Sequence, residues 1–154
     1  MAYIENPNNI GTNAEVSGNA RVYGDARVYG NAYVSGNAQL SGNARVSGNA
    51  YVYGDARVYG DARVYGNADI ESNNDWFSFI YQGKTLTGYR SRNDLGYELN
   101  INGSTIDINL VSISCKLFIE EQIALFTPKK NPVMEISITN LEKILGYSIK
   151  IIKD

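Results

Sequence analysis

Three arginines, Arg27, Arg45 and Arg63, recur at intervals of 18 residues. Guanidinium groups held at one spacing suit carboxylate or phosphate recognition, because each offers a planar fork of N–H donors. A second polar cluster, Arg90, Arg92, Asn93 and Asp94, has the composition of a binding loop. Each has a plainer reading. Arginine beside tyrosine and aspartate also makes an ordinary solvated repeat surface, and a short polar run also makes an ordinary exposed turn.

Catalytic chemistry is thinly represented. The chain contains no His, the side chain that most often serves as a general base near neutral pH. Its one thiol, Cys115, falls in a segment that reads as strand and has no His to take its proton, so it reads as a buried structural residue. Glu120 and Glu121 sit on an expected helix and read as a solvated pair. There is no Walker loop, dinucleotide fingerprint or metal-ligand spacing. The sequence therefore predicts no catalytic residue, no metal site and no cofactor.

A net charge of −2 gives no general attraction to nucleic acid or to an anionic membrane. A single cysteine allows no internal disulfide, which fits a reducing compartment and a cytoplasmic protein. The opening Met-Ala-Tyr-Ile-Glu-Asn-Pro lacks the basic and apolar runs of a signal peptide. No apolar stretch approaches the roughly 18 residues needed to span a bilayer.

What must position the arginines is a repeat. The words Asn19-Ala-Arg-Val-Tyr-Gly24, Asp25-Ala-Arg-Val-Tyr-Gly30 and Asn31-Ala-Tyr-Val-Ser-Gly36 continue in register to Ser72. Every sixth residue from Ile4 to Ile70 is aliphatic, twelve positions in all, and the next step lands on Trp76. In Arg21-Val22-Tyr23 the centre is apolar and both neighbours are not, which describes a short strand with one side chain inward and two outward. Gly and Asn or Asp follow as turn residues tolerant of positive φ. Ala then fits inside the corner.

The pattern aliphatic-x-x-x-small-x resembles the hexapeptide-repeat family, over about half the chain. The resemblance implies a left-handed parallel β-helix with three hexads per coil, and commonly a trimer. Four coils then stand roughly 19 Å tall. Acyltransferases of this family use a His as general base, and its carbonic anhydrases bind zinc through His. This chain has neither, and its repeat lacks the loop excursions that wall an active site.

An 18-residue coil stacks Arg27, Arg45 and Arg63 on one face, and Arg21, Gln39 and Arg57 on a second. The third carries Glu15, Tyr33, Tyr51 and Asp69 beside Ser17, Ser35, Tyr53 and Glu71. With no Arg of its own and with Tyr33, Tyr51 and Tyr53 clustered there, the third face is the expected oligomer interface. The corners hold Asn and Asp ladders such as Asp25, Asn43 and Asp61, and Trp76 is expected to cap the last coil.

The expected fold is thus mainly β, with the β-helix of about four coils in residues 1–75 and a small α+β domain in 76–154. In the latter, Trp76–Tyr81 and Thr85–Arg90 form a hairpin about Gln82-Gly83-Lys84, and Tyr97–Ile101 pairs with Thr105–Ser114 across Asn102-Gly103. Lys116–Phe126 reads as a helix apolar along Leu117, Ile123 and Phe126, stopped by Pro128. Thr139 can cap a short helix Asn140–Leu145 ended by Gly146, and Tyr147–Ile152 alternates as a strand.

Ser91-Arg92-Asn93-Asp94 with Ser112-Ile113-Ser114-Cys115 resembles the tail of uncharacterised phage and prophage repeat proteins. The expected function is a non-catalytic binding scaffold, self-associating as a homotrimer or dimer and engaging a host protein or a nucleotide ligand, with no membrane or nucleic-acid partner. One concrete version is an inhibitor of bacterial immunity in the cytoplasm of an infected or lysogenic cell. The alternatives are a structural spacer, for which four coils are short, and a degenerate acyltransferase, which the missing His opposes.

Overall fold

The computed structural model describes residues 1–126. The hexads form a triangular parallel β-solenoid of about four coils. One sheet stacks β1 (Tyr3–Ile4), β3 (Arg21–Val22), β6 (Gln39–Leu40) and β9 (Arg57–Val58). A second stacks β4 (Arg27–Val28), β7 (Arg45–Val46) and β10 (Arg63–Val64), with Ile10 bridged to Val28 below them. The third stacks β2 (Glu15–Val16), β5 (Tyr33–Val34), β8 (Tyr51–Val52) and β11 (Asp69–Ile70).

Pairs fall one coil apart, as in Val22↔Leu40 and Leu40↔Val58. The aliphatic ladder from Val22 to Ile70 and the alanines from Ala20 to Ala68 are at most 2% exposed. Ile4, Ile10 and Val16, in the first coil, are only half-buried. Gly48 shows why the corners need glycine. Its φ is +72°, and a Cβ there would stand 2.8 Å from the backbone nitrogen of Gly66 in the next coil. Along the vertices, side-chain amides link the coils. Asn37 Nδ2 donates to Asp55 Oδ1 at 3.0 Å, and Asn43 Nδ2 to Asp61 Oδ1 at 2.9 Å.

Beyond the solenoid an antiparallel sheet runs in the order β12 (Trp76–Tyr81), β13 (Lys84–Arg90), β14 (Tyr97–Ile101), β15 (Ser104–Thr105). Both hairpins turn on two residues of positive φ, Gln82-Gly83 and Asn102-Gly103, the geometry that matches strand twist. Phe77 lies over Gly88, where a Cβ would come within 2.1 Å of its ring.

The strand expected from Thr105 to Ser114 stops at Thr105. Asp107 accepts from the Asn109 amide and starts a 3-10 turn, Ile108–Leu110. Ser112 then caps α1 (Ile113–Ala124) by accepting from the Cys115 amide. Local side-chain caps thus outcompete the alternating apolar pattern. Cys115 consequently sits in a helix, not a strand, and is half-buried. α1 packs through Ile119, Cys115 and Ile123, with Phe126 just beyond its end, whereas Leu117 is 62% exposed. The expected Pro128 stop, helix Asn140–Leu145 and strand Tyr147–Ile152 lie outside the described residues.

Candidate functional site

The parallel register places Arg27, Arg45 and Arg63 as direct neighbours up one sheet. Two residues before each, at the preceding vertex, stand Asp25, Asn43 and Asp61. The six side chains line a polar groove of about 460 Å³. Arg27 and Arg45 are exposed, and among the described residues neither pairs with a carboxylate. Arg63 is half-buried and donates to the Asn102 carbonyl, which ties the top of the row to the β14–β15 turn. Like charges directly opposite on adjacent strands disfavour one another. The ladder is therefore an arrangement that an anion would relieve.

Arg90 has a different environment. It is 5% exposed, its Nε donates to the Asp69 carbonyl at 2.7 Å, and the same atom lies 3.4 Å from Asp75 Oδ1. Its Nη2 sits 3.7 Å from Asp69 Oδ1 without a closer hydrogen bond. Asp75, fully buried, accepts from the amides of Glu71 and Ser72 at 3.0 and 2.9 Å. The cluster expected to form one polar loop is therefore divided. Arg90 faces inward, Asn93 closes a turn by accepting from the Gly96 amide and donating to the Tyr97 carbonyl, and Asp94 is exposed. Arg92 reaches back over the solenoid, its guanidinium 3.9 Å from the Tyr51 ring centre and donating to the Asn49 carbonyl.

The third face thus acquires an arginine from outside the repeat. Tyr33 and Tyr51 pack edge to face at 5.8 Å, and Tyr51 remains 44% exposed. Tyr53 turns toward Asp69 and Arg90. Burial, then the Asp69 charge, pushes its hydroxyl above the usual phenol range. Burial likewise raises the Tyr89 hydroxyl and the Cys115 thiol, so none of these three is primed as a nucleophile.

Sequence reading missed how the last coil is finished. Its edge is met largely by side chains, with a backbone bridge, Ala68↔Ser91, at the last corner. The Arg63 amide donates to Thr87 Oγ1 at 3.1 Å, the Tyr65 amide to the Tyr89 hydroxyl at 3.2 Å, and Asn100 Nδ2 to the Arg63 carbonyl at 2.8 Å. Below them the Arg57 amide donates to Asn73 Oδ1 at 2.7 Å. Trp76 does cap the core as expected, packed edge-on against Tyr59 at 5.1 Å, and Tyr89 joins it. The signal available was that Thr87 and Asn100 are polar residues within predicted strands. Nothing in their spacing says what they face.

Among the described residues no group of His, Cys, Asp and Glu is arranged to hold a metal ion, and no helix is long and apolar enough to cross a membrane. No curated protein and no solved structure matches the chain. The family described as YdcK Beta solenoid repeat matches residues 14–28, 26–40, 38–54, 50–66 and 56–69, so the repeat that carries the arginine ladder is similar to a β-solenoid repeat family.

Proposed function

We propose that this protein is a non-catalytic binding scaffold that seats an anionic ligand on the Arg27–Arg45–Arg63 groove. The observation that carries the proposal is the in-register ladder lining a groove of about 460 Å³, with Arg27 and Arg45 free of a carboxylate partner among the described residues. A stiff solenoid suits this role, because the backbone ladder sets the spacing of the three arginines before a ligand arrives. Inorganic tripolyphosphate is a direct probe. Calorimetry at low salt should detect binding that weakens as salt is added. An Arg27→Ala, Arg45→Ala variant should lose about tenfold or more in affinity, the scale of a charged hydrogen bond. Absence of arginine-dependent binding by any anionic probe would reject the reading.

Self-association belongs to the same proposal. The Tyr33–Tyr51 face would form the contact of a homotrimer or dimer, since aromatic side chains bury large areas with few rotors to freeze. Glu15, at the exposed end of this face, can meet an arginine from a different face of an adjoining copy, which favours a heterologous contact closing into a ring. The wild type is expected to sediment as an oligomer and a Tyr33→Glu, Tyr51→Glu variant as a monomer. A monomeric wild type would remove the assembly, whereas an oligomer insensitive to both substitutions would place the contact elsewhere. The phage setting rests on the tail resemblance alone. In it, the scaffold would hold a nucleotide messenger or occlude a host protein.

A further inference from the structure

We infer that the occupant of the arginine groove is an acidic glycan lying along the solenoid axis. This rests on the reading of the groove as an anion site and narrows the ligand class. The groove has two rows, and they differ in chemistry. Arg27, Arg45 and Arg63 form a row of forked donors, while Asp25, Asn43 and Asp61 form a parallel row rich in acceptor oxygens. Asn43 already donates to Asp61, which leaves its own amide oxygen as a further acceptor.

A bare polyanion fits only half of this. Its charge would match the arginine row but be repelled by Asp25 and Asp61. A uronate chain offers groups for both rows: the carboxylates turned toward the arginines suit the guanidinium forks, and ring hydroxyls can donate to the acid and amide oxygens. Phosphates of a duplex strand recur at about 3.4 Å and meet the acid row besides.

Oligogalacturonates of increasing length, neutral maltotriose and inorganic tripolyphosphate are the probes, titrated by calorimetry against the full chain. Affinity is expected to rise with length until the chain spans the groove and then level off, and maltotriose should not bind. An Asp25→Ala, Asp61→Ala variant, checked by its melting curve, is expected to weaken trigalacturonate binding by about tenfold. The same variant should strengthen tripolyphosphate binding. Opposite responses support the two-row reading. If tripolyphosphate binds through the arginines while galacturonates bind no better, or if both ligands strengthen in the aspartate variant, the glycan is wrong and the anion groove stands. If neither ligand binds in an arginine-dependent way, both fail.

Discussion

Leu40→Asp is expected to unfold the repeat or bring it to the edge of unfolding at room temperature. Leu40 is fully buried, between Val22 in the coil below and Val58 in the coil above. Truncating such a leucine alone costs about 2–5 kcal/mol, and an unpaired buried carboxylate adds several more. That sum rivals the whole stability of a typical domain, about 5–15 kcal/mol. The geometry sharpens the effect. The core is one side chain wide, so no lateral neighbour can move to hydrate or pair the acid, and each coil is supported only by those above and below. Two controls isolate the cause. Leu40→Met should cost less than about 1.5 kcal/mol. Gln39→Asp, one residue away on the outside and between Arg21 and Arg57, should change stability by less than about 0.5 kcal/mol. Thermal melts of the three variants test the register directly: a Leu40→Asp protein that melts with the wild type would mean that the ladder is misassigned.

The solenoid was legible because its information is one-dimensional. A period of six fixes which residue points inward, which bends and which lies 18 residues away. Hence the Arg27–Arg45–Arg63 and Glu15–Tyr33–Tyr51–Asp69 columns followed from counting and recur in the strand register. The second half has no such period. Its hairpins were readable from Gln82-Gly83 and Asn102-Gly103, whose positive φ is a local requirement. Thr105–Ser114 was misread because alternation of Ile106, Ile108 and Leu110 mimics a strand, while Asp107 and Ser112 impose caps instead. Likewise the inward ladder says nothing about what approaches the outside. That Arg92 would cross to Tyr51 depends on where the sheet docks, and docking is a tertiary fact.

The docking itself leads to the other large effect, Arg90→Met, expected to cost about 3–5 kcal/mol. Arg90 is the cation between two acids at the junction, Asp69 at the end of the solenoid and Asp75 at the start of the sheet. Removing it strips a carbonyl of its partner at Asp69 and takes from the buried Asp75 carboxylate the guanidinium that faces it. A buried ion pair contributes little net stability when whole, but breaking it leaves one charge uncompensated. The double variant separates these effects. Asp75→Asn in the Arg90→Met background removes the acid that Arg90 faced, so its additional cost should be well below that of Asp75→Asn alone, a coupling of about 1–3 kcal/mol. Because Trp76 and Tyr89 flank the pair and close the last coil, loss of Arg90 should first loosen the cap. Hydrogen exchange should show this as faster exchange at the Arg63 and Tyr65 amides, which donate to Thr87 and Tyr89. The Arg21 and Tyr23 amides, which bond to Ala38 and Leu40 near the other end, should stay protected. Uniform loss of protection along the solenoid, or none, would show that the junction does not act as its lock.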